Sequence, residues 1–152
     1  MSIKIISVGK KHEDWIRHGI ERYQKRLRKP FDIEWQVLPH SSQNGLEARQ
    51  IESKHILKRL NNDDYVILLD EKGINLNSPA LSDLLFDQIS KSKNVVIVIG
   101  GAFGVDEVLH EKADFVWSLS NLVFPHQLVR LILIEQIYRS QEIANNGKYH
   151  HQ

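Results

Sequence analysis

His126 and Arg130 stand four residues apart, immediately after Pro125 and the polar stretch Ser118-Leu119-Ser120-Asn121-Leu122-Val123-Phe124. That spacing puts an imidazole and a guanidinium on one face of a helix near its N-terminus, with proline in a favoured first-turn position. An imidazole can take or give a proton near neutral pH. A guanidinium can hold phosphate or stabilise a developing anion. Arg130 lies inside the apolar run Leu128-Val129-Arg130-Leu131-Ile132, so it must find a partner or reach water, because burying it unpaired is costly. The loop before it offers Ser120, Asn121 and exposed backbone groups flanked by Leu119, Leu122, Val123 and Phe124. Such a loop can read the edge of an adenine or hold a ribose.

A second loop, Gly100-Gly101-Ala102-Phe103-Gly104, follows the apolar run ending at Ile99. Paired glycines at a strand end let a ligand or another backbone approach closely, although a structural tight turn would use them as well. The G-x-G-x-x-G dinucleotide spacing is absent, and no Gly-Lys-Ser/Thr follows for a P-loop. Asp106 and Glu107 fall in the next helix's first turn, where they suit the dipole and repel a phosphate. A ligand without phosphates at this end is therefore favoured. Asp70-Glu71-Lys72-Gly73 after Leu69 could touch a ligand, but is better read as an ordinary turn with Gly73 at positive φ.

Arg22, Lys25, Arg26, Arg28 and Lys29 crowd the end of one helix. They can meet RNA phosphates, or simply complement a helix dipole. In the terminal Tyr149-His150-His151, Tyr149 can stack on a base and His150 can move a proton; a frayed terminus is the alternative. The eight histidines show no H-E-x-x-H spacing and there is no cysteine, so no metal site is expected.

The elements that position these residues can be laid out from periodicity. Strands are expected at residues 3–8, 31–38, 65–69, 95–99 and near 115–117, the third and fourth as continuous apolar runs buried on both faces. Ile16, Ile20, Tyr23 and Leu27 mark a helix that Pro30 stops. A helix over 46–60 should turn Ile51, Ile56 and Leu60 inward. Ser78 and Pro79 should cap the next helix, with Leu81, Leu84, Leu85 and Ile89 inside. A short helix starts near Asp106, and a last one spans residues 125 to about 145. Its residues 128–138 are apolar on nearly every side, so it is expected to be buried all round and to form a two-fold subunit interface.

Strand and helix alternate without linker or repeat, which predicts one α/β domain over residues 1–152. Its sheet should be mostly parallel with helices on both faces, and ligands should sit beyond the carboxyl ends of the strands. At 152 residues the chain can bury a core without disulfides. The net charge of +1 hides an asymmetry: 14 basic and 11 acidic residues in 1–76, against 6 and 8 in 77–152. No signal-peptide pattern or run of about 20 apolar residues is present, so a cytoplasmic protein without a membrane partner is expected.

Taken together, Val98-Ile99-Gly100-Gly101-Ala102-Phe103-Gly104, the stretch from Leu119 to Arg130, Glu135-Gln136-Ile137-Tyr138-Arg139 and Tyr149-His150 resemble the bacterial RlmH (YbeA-like) methyltransferases of the SPOUT class. The resemblance covers the whole chain, including Val8-Gly9-Lys10 and Leu69-Asp70-Glu71-Lys72-Gly73. It implies S-adenosylmethionine as methyl donor and N3 of a pseudouridine in 23S ribosomal RNA as acceptor, on the assembled ribosome. It also implies a homodimer and a C-terminal trefoil knot. Carried over by position, Leu69, Gly100, Gly101, Leu119, Ser120, Asn121, Leu122, Val123 and Phe124 would hold the donor. His126, Arg130 and His150 would be catalytic, and Tyr149, His151, Arg22, Lys25 and Arg26 would contact RNA. Val123 stands where members often carry Thr, and His151 where they often carry Arg or Lys. The competing reading is a non-enzymatic ribosome- or RNA-binding module built on the basic helix. A hydrolase is disfavoured by the missing G-x-S-x-G elbow.

Overall fold

A computed structural model describes residues 3–147; Tyr149, His150 and His151 lie outside the described residues. The chain runs β1 (Ile3–Val8), α1 (Asp14–Gln24), β2 (Ile33–Leu38), α2 (Gly45–Leu57), β3 (Asp64–Asn75), α3 (Ser78–Ser90), β4 (Asn94–Ile99), α4 (Glu107–Lys112), β5 (Phe115–Ser118) and α5 (His126–Ala144). The strands form one sheet in the order β2-β1-β4-β3-β5, and every pairing is parallel. The apolar runs of β3 and β4 lie centrally, as strands buried on both faces must. One core cluster sits on the α1, α3 and α5 face and includes Ile5, Ile97, Leu81, Leu85 and Ile137. The other sits on the α2 and α4 face and includes Ile6, Val98, Ile56 and Leu109.

No residue of α5 is exposed along its whole length, even within this one chain. α1 and α3 cover much of it, and the approach is close: a Cβ at Gly19 would come within 2.8 Å of Leu131. Its polar residues are used as fasteners. Gln141 accepts from the Arg28 amide at 2.6 Å and donates to the Arg26 carbonyl at 3.0 Å. Ser82 of α3 donates to the Ser140 carbonyl.

Four expectations need correction. Residues 70–73 are not a turn: β3 continues to Asn75, pairing Ile74 with Trp117 and Asn75 with Ser118 after a register shift. Gly73 is not among the positive-φ residues. It is glycine because a Cβ there would lie 2.6 Å from the Val116 carbonyl oxygen. The inner face of α2 is Ala48, Glu52, Ser53 and Ile56, whereas Ile51 and Leu60 are only partly buried; the loops at the strand ends demand polar partners there. α3 is capped by Asn77, whose side chain accepts from the Ala80 amide, so Ser78 is already helical. α1 ends at Gln24, and Leu27 is buried from the turns that follow.

Candidate active site

A cavity of about 340 Å³ opens where β3, β4 and β5 end, within the usual size of small-molecule sites. One wall is the glycine loop. Gly104 donates its amide to the Gly101 carbonyl at 3.0 Å, folding the loop back on itself. Neither Gly100 nor Gly101 has room for a side chain: a Cβ would meet Val105 at 2.9 Å or Glu52 Oε1 at 2.5 Å. Gly104 adopts φ +77°, a conformation that glycine enters without strain.

The opposite wall is the loop after β5. Ser118 Oγ donates to the Ser120 carbonyl, Ser120 Oγ accepts from the Leu122 amide, and Asn75 donates to the Ser118 carbonyl. The loop is thus shaped by its own side chains. Among the described residues, the backbone of 119–124 makes no hydrogen bond to other backbone, which leaves amides and carbonyls for a ligand. Leu122 and Val123 are exposed. Trp117, another lining residue, is 3% exposed, and its indole Nε1 is buried without a hydrogen-bond partner.

The charge of the cavity is one-sided. Among the described residues, Asp70 and Glu71 are its only titratable lining residues, brought there by the extension of β3. Asp70 accepts from the Lys72 amide and pairs with His110 Nε2 at 3.2 Å. Among the described residues no lysine or arginine lines the cavity, an arrangement that favours a neutral or cationic ligand over a phosphate.

The first turns of α5 tie this cavity to the end of β1. His126 donates its Nε2–H to the Gly100 carbonyl at 3.0 Å, which leaves Nδ1 with the lone pair. Burial first, then the charge of Arg130, holds its pKa below the usual 6.5, with the Gly100 bond opposing. Arg130 is fully buried. Its Nη1 donates to the Lys10 carbonyl at 2.8 Å and to His12 Nδ1 at 3.2 Å, and its Nε and Nη2 have no partner. Burial lowers its pKa from the ordinary value, while Glu13 opposes that; guanidinium stays protonated. His12, packed edge-on against Trp35 at 4.7 Å, is likewise held below its ordinary pKa by burial and by Arg130. Gln127 completes the clasp through the Lys11 carbonyl and the Glu13 amide.

The expected residues therefore divide. Leu69, Gly100, Gly101, Leu119, Ser120, Leu122, Val123 and Phe124 line one cavity. Asn121 belongs to the same loop but is not among its lining residues. His126 and Arg130 stand beside it. Arg22, Lys25 and Arg26 are exposed at the far end of α1, on the side of the sheet where β2 begins, and are not brought to the cavity. Two contributors escaped the sequence argument. Glu52 is 4% exposed; its Oε2 accepts from the Ser41 amide at 2.9 Å while Oε1 faces Gly101 without a hydrogen-bond partner. Ser53 Oγ accepts from the Asp106 amide at 3.0 Å. Together they hold the glycine loop from the α2 side. The available signal was that the apolar residues of α2 do not line up at helical spacing.

Among the described residues no group of three or more His, Asp or Glu is arranged to hold a metal ion, and no helix is long and apolar enough to cross a membrane.

Comparison with known proteins points the same way. Residues 1–150 match a family described as predicted SPOUT methyltransferase. A protein of Methylobacillus flagellatus named ribosomal RNA large subunit methyltransferase H is 37% identical over 154 residues, covering 99% of each chain. Proteins of the same name are 40% identical in Acetivibrio thermocellus, over 99% of each chain, and 39% identical in Parabacteroides distasonis, over the full length of both.

Proposed function

The chain belongs to the SPOUT methyltransferase family, and from that premise we propose that it methylates large-subunit ribosomal RNA. The donor is S-adenosylmethionine and the acceptor is N3 of a pseudouridine in 23S RNA, presented by the assembled ribosome. The names of its relatives support the RNA class. The observation that carries the donor is the cavity itself: a cramped glycine loop, a loop with free backbone groups, two carboxylates and, among the described residues, no cationic side chain. This fits an adenosyl group and a positively charged methionyl sulfonium, and it does not fit a nucleotide phosphate.

When bound, the donor supplies an electrophilic methyl group on sulfur; the N–C bond forms as the C–S bond breaks, leaving a neutral thioether. The protein must hold the acceptor in line and remove the N3 proton. Positioning of this kind can contribute about 7–11 kcal/mol. The proton acceptor in this reading is His126. Its Nε2–H is committed to Gly100, its Nδ1 is free to accept, and burial first, then the charge of Arg130, favours the neutral ring. Arg130 acts through His126 and His12 and favours negative charge developing on the base. Tyr149, His150 and His151 contact the acceptor RNA from the partner subunit, and His150 is the second group able to take the proton. The homodimer and the knot are what membership of this family implies. An enzyme of ribosomal RNA works in the cytoplasm.

Mass mapping of 23S RNA from a deletion strain tests the reaction. One methyl group should disappear and return when this chain is supplied; an unchanged map refutes it. Calorimetry with S-adenosylmethionine tests the donor: no binding favours an RNA-binding module instead. A general base contributes about 10²–10⁴-fold. His126→Asn should therefore lose about that much in kcat and its acid-side pH limb, whereas His150→Ala should mainly raise KM. The opposite pattern assigns the base to His150.

A further inference from the structure

α1 presents a face that the methyl-transfer chemistry does not use. Trp15 is 57% exposed, although a tryptophan is ordinarily a core or interface residue. It is not loose: its Nε1 donates to Glu13 Oε2 at 2.8 Å, and the Glu13 amide donates to Gln127 of α5 at 3.0 Å. The ring is thereby fixed one residue from the α5 turn that carries His126. His18, Arg22, Lys25 and Arg26 follow it in sequence, all exposed. At 3.6 residues per turn Trp15, His18, Arg22 and the C-cap residue Lys25 fall within about 80° of helix surface, and Arg26 follows in the next turn. Lys25 keeps helical backbone angles at the C-cap, so the stripe is continuous.

The neighbouring stripe is neutralised and this one is not. Arg17 is engaged by Asp14 at 3.5 Å and Glu21 at 3.1 Å. Among the described residues, Arg22, Lys25 and Arg26 have no carboxylate within ion-pair distance. From Trp15 to Lys25 the rise is roughly 15 Å, long enough to run beside several phosphates of one strand. Lys10 and Lys11 are exposed at the Trp15 end, beside the catalytic cluster. An aromatic ring at the site end of an uncompensated cationic stripe is how proteins hold single-stranded nucleic acid: phosphates on the cations, a base on the ring.

We propose that Trp15 is a stacking platform for an unpaired base next to the modified nucleotide, with Arg22, Lys25 and Arg26 tracking the phosphates that lead away from it. The proposal rests on the RNA reading above and adds a base-holding residue to it. A second copy of this chain fits the face poorly, because a two-fold contact sets a patch against itself and here would oppose like charges.

The test uses ribosomes from a strain deleted for this protein, with binding measured over a salt series and methyl transfer measured on the same particles. Loss of one base stack is expected to weaken binding about 5- to 150-fold in Trp15→Ala, seen more in KM than in kcat, with the salt dependence unchanged. Trp15→Phe should recover most of the affinity. Arg22→Ala should reduce the salt slope by about one, which a stacking residue does not do. Wild-type ribosome affinity in Trp15→Ala overturns the proposal. So does a lower sedimentation mass for that variant, which would make the face a subunit contact. If the wild-type chain binds these ribosomes but transfers no methyl group, the catalytic reading fails while the Trp15 comparison still decides the platform.

Discussion

Gly73→Ala is the substitution in which the extended β3 is most exposed to test. The new Cβ would sit 2.6 Å from the Val116 oxygen, 2.7 Å from its carbonyl carbon and 2.8 Å from the Trp117 nitrogen. All three are backbone atoms, so no rotamer change relieves the contact. Reaching the ordinary limit of 3.4 Å requires β3 and β5 to separate by at least 0.8 Å, the difference between 3.4 and 2.6 Å. Overpacking of this kind costs about 1–3 kcal/mol, and each kcal/mol lowers Tm by about 2–4 °C in a chain of this size, so a fall of roughly 2–12 °C is expected. The displaced peptide leads straight into Ser118 and the donor loop, while Leu69, Asp70 and Glu71 lie on the other side of the contact. A misplacement of about 1 Å can cost about 10²-fold in rate, so kcat/KM should fall by one to two orders of magnitude. Thermal unfolding, donor calorimetry and ribosome methylation measure the three consequences. Gly45→Ala is the control: φ is +57° with nothing within 4 Å of the new Cβ, so it should cost about 1–2 kcal/mol and leave donor affinity alone. A Gly73→Ala protein with wild-type Tm and wild-type donor affinity would refute the account of β3 as a strand pressed against β5.

Three further outcomes are expected. Gly101→Ala should lower stability and donor affinity by colliding with Glu52 Oε1, and Glu52→Ala should cost about 1.5–3 kcal/mol through the lost charged hydrogen bond to Ser41; the double variant should be less damaged than the sum, and strict additivity in a double-mutant cycle removes the contact. His12 and His126 have native pKa values below the usual 6.5. Between those values and 6.5 the unfolded chain therefore binds more protons, so stability should rise with pH up to about 6.5 and flatten above it; urea unfolding with no slope below pH 6.5 contradicts this. Glu71→Gln should weaken binding of the cationic sulfonium donor more than that of its neutral thioether product in parallel calorimetry, and equal losses for both would deny the carboxylate an electrostatic role.

Much of the architecture is legible in the chain because burial leaves a periodic mark. The runs in β3 and β4 are apolar at every position since both faces of a central parallel strand are covered, and α5 is apolar all round since α1, α3 and the sheet surround it. The two loops that line the cavity are legible too, because glycine pairs and the 118–124 stretch depend on local backbone freedom and sit directly after strands. α2 was misread for the opposite reason. Beside Ala48 and Ile56 its buried face holds Glu52 and Ser53, and what selects these two is a pair of amides, from Ser41 and Asp106, that arrive from distant segments.

Residue type and spacing alone determine that this is an α/β chain, point to a candidate ligand site without a phosphate cradle at its strand ends, and put His126 and Arg130 on one helix face. Only the tertiary structure decides what those residues can do. It extends β3 along β5, which makes Gly73 obligatory and carries Asp70 and Glu71 into the cavity. It closes Arg130 away from solvent between the β1 end and His12, so that its charge acts on two imidazoles rather than on water. And it leaves Trp15 outside, fixed at the head of a cationic stripe. Periodicity records how much of each side chain is covered; electrostatic and steric partners are set by which segments the sheet order brings together.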